Sequence, residues 1–258
     1  MPGQYPCLLP VRISLLLLSS FCALLPLSTT YAQSPGHSKR HYNAQARPYY
    51  RGPVRFTAGG GVAMYNGDLG GLSQNFIGPA GSIGVLYMWH PGLQVGAEFS
   101  GFQVGAKDRL ASRGEFNNLA FRGRNASLIA QVRLGLLRDN GEFADSHGSP
   151  AVLKPYLRLG VGGLLYSPEA YEGTTRPDNG TTFISPERND YPAVAFIAPV
   201  GLGLTVRASR RVNVTTEATY FFTSTDQLDD VSTIHSGNAQ HNDGYGLLEL
   251  KMEYALRP

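Results

Sequence analysis

The stretch YGLLELKMEYAL, residues 245 to 256, sets two kinds of side chain against each other along one extended segment. Leu248, Leu250, Met252, Tyr254 and Leu256 fill one set of alternate positions, and Glu249, Lys251 and Glu253 fill the other. A period of two sends the two sets to opposite faces of a strand. The fold turns on which of those faces meets water.

Working outward, seven more segments carry the same alternation. Strands are expected near 55–65, 79–89, 92–104, 122–136, 155–166, 194–207 and 211–222, with the eighth at 244–256. Most exceed the roughly 5 to 6 residues usual in globular sheets and match the roughly 9 to 11 residues of a tilted strand crossing a bilayer. The content of 31 Gly, 14 Tyr and 12 Phe with 16% charged residues also favours strands and tight turns over helices.

One face of these strands collects Val85, Tyr87, Trp89, Leu93, Val95, Phe99, Leu128, Val132, Leu134, Leu157, Leu159, Val161, Val200, Leu202, Leu204, Val214, Tyr220 and Phe222, without a charge. The other holds Gln94, Asn125, Ser127, Gln131, Thr205, Asn213 and Thr215, and eight ionisable groups. Four are basic (Arg133, Arg158, Arg207, Lys251) and four acidic (Glu98, Glu217, Glu249, Glu253), a balance that predicts mutual pairing.

A soluble sandwich would alternate in the same way with its apolar face inward. Three features favour the inverted arrangement. The strands are long; aromatic residues gather at strand ends, Tyr87 with Trp89 and Tyr220 with Phe222; and the chain opens like an exported one. Arg12 precedes the apolar run Ile13 to Leu27, and Thr30-Tyr31-Ala32 ends it with small residues at the outer positions, the pattern of a signal peptide over 1–32. Both cysteines, Cys7 and Cys22, fall inside that segment, so disulfide, thiol and Cys-zinc chemistry are not expected of the remainder.

Residues 33–54 form a basic leader with Lys39, Arg40, Arg47 and Arg51, expected to be flexible and periplasmic. The formal charge of +3 falls to +2 without Arg12, and the basic residues are scattered, which argues against a nucleic-acid partner. The expected architecture is therefore all-β: an eight-stranded antiparallel transmembrane barrel of outer-membrane type over 55–258, monomeric and in contact with outer-membrane lipid. Short connections near 90–92 and 208–210 would face the periplasm, and the segments 66–78, 105–121, 167–193 and 223–243 the exterior. The connection 137–154 is long for a periplasmic turn.

The segments GGGVAMYNGDLGG (59–71), FRGRNASLIAQVRLGLL (121–137), PYLRLGVGGLLYSPEAY (155–171), APVGLGLTVRASRRVNV (198–214) and FTSTDQLDDVS (222–232) resemble, in that order, an outer-membrane barrel family of Bacteroidota. That family includes PorG of the type IX protein secretion machinery. The resemblance implies a barrel associated with periplasmic secretion-ring proteins, or a paralogue with a separate role. It runs through Asp68, Asp229 and Asp230, which lipid packing does not explain and which are therefore candidate partner contacts.

No catalytic, cofactor or metal site is expected. His90, His147, His235 and His241 lack a Ser or Asp at a recognisable nucleophile spacing. Asp226, Asp229, Asp230 and Asp243 lack the ligand spacing of a dedicated calcium loop. The glycines 59–61 lie within a strand and read as close strand packing or a bend. A surface barrel for adhesion or ligand binding is the alternative, and an envelope lipid-modifying enzyme the remote one.

Overall fold

The computed structural model describes residues 54–67, 75–90, 92–107, 119–137, 151–173, 175–178, 180–186, 190–209, 211–229 and 242–256. The expected signal peptide over 1–32, the expected leader up to residue 53 and most of the 137–154 connection lie outside them. Eight strands follow in order: β1 (Val54–Asn66), β2 (Gly78–His90), β3 (Leu93–Lys107), β4 (Leu119–Gly135), β5 (Leu153–Glu172), β6 (Ala193–Arg207), β7 (Val212–Thr223) and β8 (Gly244–Ala255). Each pairs antiparallel with its sequence neighbours, and β1 closes on β8 from Arg55–Ala255 to Asn66–Gly244. The chain is an eight-stranded antiparallel barrel of outer-membrane type.

Register fixes its dimensions. Partners followed from Val54 through Tyr87, Val95, Val132, Leu159, Val200, Tyr220 and Gly246 lead back to Met64, ten residues farther along β1. With ordinary strand spacing, that stagger tilts the strands by about 40° and gives a backbone radius of about 8 Å. Side chains from opposite walls meet across such an interior. Because the stagger is even, every residue on that circuit faces the same way, outward.

The wall is inverted relative to a soluble protein. On β8, Leu250 and Met252 are 60% and 54% exposed, while Glu249, Lys251 and Glu253 are 2%, 1% and 1% exposed. Down β4 the outward positions Leu136, Leu134, Val132, Ala130, Leu128 and Ala126 are all apolar. Ten residue steps at this tilt cover about 25 Å along the barrel axis, the height of the apolar band of an outer-membrane barrel. Phe56, Tyr87, Trp89 and Tyr254, on the adjacent strands β8, β1 and β2, mark the end that carries the short turns. Phe196, Tyr220 and Phe222 mark the end that carries the long loops.

Three strands outrun the sequence expectation, all toward the long loops: β3 to Lys107, β4 from Leu119 and β5 to Glu172. The cause is chemical. On β3 and β5 the outward positions there turn polar or small, at Gln103, Gly105, Lys107, Ser167 and Glu169, so hydrophobic alternation stops while the hydrogen-bond ladder continues.

The glycines of β1 divide by face. A Cβ on Gly59 would collide with Lys251 Cγ and the Leu250 carbonyl, and one on Gly61 with the Leu248 carbonyl, whereas one on Gly60 would approach only the Ala80 carbonyl, at 3.7 Å. Gly60→Ala should leave thermal stability in detergent within about 0.5 kcal/mol of wild type or raise it, since Ala is less disordered than Gly when unfolded. Gly59→Val should lower it by at least about 2 kcal/mol through overpacking against Lys251. Equal effects from the two variants would contradict the assigned faces.

Candidate functional site

At the centre of the lumen the Lys251 ammonium is ion-paired with three carboxylates. Its Nζ lies 2.8 Å from Glu98 Oε2, 2.7 Å from Glu217 Oε1 and 3.0 Å from Glu249 Oε2. These acids come from β3, β7 and β8, so one amine ties three strands together. Glu98, Glu217 and Glu249 each offer an oxygen within 4.8 Å of the others, a spacing able to hold a metal ion. The lysine already places a positive charge among them.

Two guanidinium groups extend the cluster. Arg158 donates from Nη2 to Glu98 Oε1 at 2.9 Å and from Nη1 to Glu217 Oε1. Arg133 donates to Glu217 Oε2 at 2.9 Å and to Glu253 Oε1 at 2.6 Å, with its guanidinium carbon 4.6 Å from the centre of the Tyr156 ring. The Tyr156 hydroxyl donates to Glu217 Oε2. Thr215 and Asn213 donate to Glu253 at 3.0 and 3.2 Å, and Gln131 reaches Glu98 at 3.5 Å. All four carboxylates thus have a cationic partner.

The membership differs from the sequence expectation at one position. Arg207 faces inward but lies half-buried near the short-turn end of β6, outside the cluster. The fourth deeply buried base is Arg55 of β1, 7% exposed. Alternation on β1 placed Arg55 opposite Phe56, yet its position beside the basic leader concealed it as an interior residue. Tyr156 was missed because an aromatic on a strand gives no sign that its hydroxyl will serve an interior acid.

Toward the long loops the lumen becomes aromatic. Tyr245 stacks between Phe102 and Phe221 with ring centres 4.5 Å away on each side, and Tyr65 meets Phe121 edge-on at 4.8 Å. Ile129, Leu164, Tyr166 and Ile197 complete this packed layer. Toward the short turns a recess of about 50 Å³, lined by Gln94, Arg133, Tyr156, Thr205, Asn213 and Glu253, has room for a few waters.

Three of the five segments that carried the family resemblance meet at the rim of this aromatic layer. The Tyr65 hydroxyl, before the NGDL turn, lies 3.0 Å from Asp229 Oδ2 and 2.5 Å from Asp243 Oδ1. Asp243 Oδ2 accepts from the Leu228 amide at 2.9 Å, and its backbone carbonyl accepts from Thr223 Oγ1 at 2.7 Å. Tyr166, in the LYSPEAY segment, shares a hydrogen bond of 3.1 Å with Thr225. Asp229 is therefore buried, 1% exposed, and braces its loop against β1 instead of presenting a contact surface. The other two candidate contacts, Asp68 and Asp230, lie outside the described residues.

No protein-family model matches the chain, and no curated protein does. Among solved structures it is similar to Neisserial surface protein A, at 14% identity and a TM-score of 0.43, covering 80% of this chain and 98% of that one. It is also similar to Ail, the attachment invasion locus protein of Yersinia pestis, at 12% identity, a TM-score of 0.42 and coverage of 80% and 97%. A third similar structure is the N-terminal β-barrel domain of Pseudomonas aeruginosa OprF, at 10% identity, a TM-score of 0.37 and coverage of 78% and 96%.

Removing one member of a buried charge cluster strands the others, at about 3 to 5 kcal/mol. Lys251→Met should therefore destabilise the barrel by that amount in urea unfolding from detergent. Millimolar Ca²⁺ should recover part of the loss in this variant and leave wild type unchanged, because the three carboxylates are then free to take a cation.

Proposed function

We propose that the chain is a non-catalytic, monomeric barrel of the bacterial outer membrane, a PorG-like structural or docking component of the type IX protein secretion machinery. One observation carries the non-catalytic, non-conducting part of this reading. The lumen is occupied by an engaged charge cluster on one side and a packed aromatic layer on the other. Each cluster carboxylate is committed to a cation, which removes it as a general acid or base. The 25 Å apolar belt and its aromatic margins support insertion in a bilayer, with outer-membrane lipid as the permanent neighbour.

With wall and lumen so occupied, function moves to the two ends. The docking assignment is supported by the sequence segments resembling the secretion-system family and by the convergence of three of them on one rim, where Tyr65, Tyr166, Thr225 and Asp229 hold the long loops to the barrel. Periplasmic secretion-ring proteins are the partners this reading requires, and it needs no nucleic acid, cofactor or metal.

Detergent purification from the native envelope tests the assignment. Secretion-ring proteins should accompany the barrel, and deletion of residues 138–150 from the long short-turn-side connection should reduce their recovery several-fold at equal barrel yield. A barrel recovered alone, whose surface adhesion disappears when residues 231–241 are deleted, would favour the adhesion reading instead.

A further inference from the structure

Charge on the outward face of the strands is confined to one quadrant. The β4 column runs apolar from Leu136 to Ala126 and then presents Arg124 and Arg122. Arg124 lies between Gln103 of β3 and Ser167 of β5; Arg122 lies between Gly105 and Glu169. These rows stand immediately beyond the apolar band at the long-loop end. On the external reading of those loops, this is the depth of outer-leaflet headgroups.

The neighbouring structure holds these bases in place. Arg122 donates through Nε to Glu169 Oε2 at 3.2 Å, donates to the same oxygen through Nη2, and lies 5.2 Å from the centre of the Phe183 ring. Phe183 bridges to Tyr171 and meets its ring edge-on at 5.9 Å, and the Ile184 amide donates to the Ala170 carbonyl at 2.9 Å. The β5–β6 connection is thereby folded back over β5. From the same connection, Arg176 donates to the Ile77 carbonyl at 2.8 Å.

Between these elements runs a groove of about 190 Å³, with Phe76, Ile77 and Pro79 on one side, and Arg122, Arg176 and Pro177 on the other. Among the described residues, Glu169 binds Arg122; Asp178 accepts from the Gly180 amide and Thr181 of its own turn, both at 3.0 Å; and Glu172, three residues past Glu169 at the long-loop end of β5, stands in register with Leu119. Among the described residues, Arg122, Arg124 and Arg176 thus outnumber the one acid ion-paired with them; Arg122 and Arg176 line the groove, and Arg124 stands two residues along the same outward face of β4.

We infer that this quadrant binds a phosphorylated glycolipid of the outer leaflet, its phosphate held by Arg122, Arg124 and Arg176 and an acyl chain lying along the β3–β5 wall. Guanidinium matches phosphate with paired, charge-assisted hydrogen bonds. The long arginine stems cross apolar surface while the heads stay at the interface. The inference rests on the outer-membrane reading.

Native mass spectrometry of the purified barrel, loaded with bis-phosphorylated lipid A or its dephosphorylated counterpart, tests it. The wild type should retain the phosphorylated lipid at least about tenfold better, and the triple variant Arg122→Gln, Arg124→Gln, Arg176→Gln should lose that preference. Arg211→Gln, which removes a single positive charge at the short-turn end, should keep it. Equal retention of both lipids by wild type, undiminished preference in the triple variant, or equal loss in the Arg211 variant would overturn the inference. Slower or faster migration on unheated gels reports a folded barrel in every variant. Its absence in wild type would overturn the outer-membrane reading itself, a distinguishable failure.

Discussion

The ladder between β1 and β8 is the constraint from which the rest follows. Once Arg55–Ala255 through Asn66–Gly244 are joined, every strand has a hydrogen-bonded neighbour on both sides and the sheet closes on itself. In hydrocarbon each unbonded group would cost several kcal/mol, so closure is the condition for immersion. Closure also settles the side chains. A period of two and an even stagger leave two continuous surfaces, an apolar one outside and an inner one that carries all the cluster charges, on a backbone wall about 8 Å from the axis.

That narrow interior must then satisfy its own charges. Buried ion pairs often fail to recover their desolvation penalty, so the cluster is weak evidence for stability as such. Its geometry points to specificity of register. Lys251 bonds to acids on β3, β7 and β8, and Arg158 of β5 bonds to Glu98 of β3 and Glu217 of β7. A slip of one residue in β8 would send Lys251 to the lipid face at about 2 to 4 kcal/mol and bring Leu250 or Met252 inside. The small residue Gly59 belongs to the same device, since it leaves room for the stem of Lys251.

Much of this was legible in the sequence because the strand period is so regular. Alternation on β8 separated two faces, and strand length, aromatic strand ends and the export-like start of the chain chose which of them met lipid. The eight segments fell within a few residues of the observed strands, except on β5, where Ser167 and Glu169 broke the alternation above the apolar band. Which charges meet was less legible, because meeting depends on height along the axis. Arg207 shares the inward face of β6 but sits too near its end, while Arg55 stands at a level that no local pattern reveals. The aromatic layer and the burial of Asp229 were hidden for a related reason. Tyr65 and Asp229 are 164 residues apart in sequence, and only closure brings β1 beside the chain that follows β7.

The inversion of faces is tested most directly by single spin labels on β8. Residues 33–258 contain no cysteine, so Leu250→Cys and Leu248→Cys can be labelled selectively in the barrel reconstituted in bilayers. Both labels should collide with lipid-soluble oxygen and be shielded from a water-soluble nickel chelate. Ready collision of both with the chelate, together with shielding from oxygen, would contradict the inverted barrel.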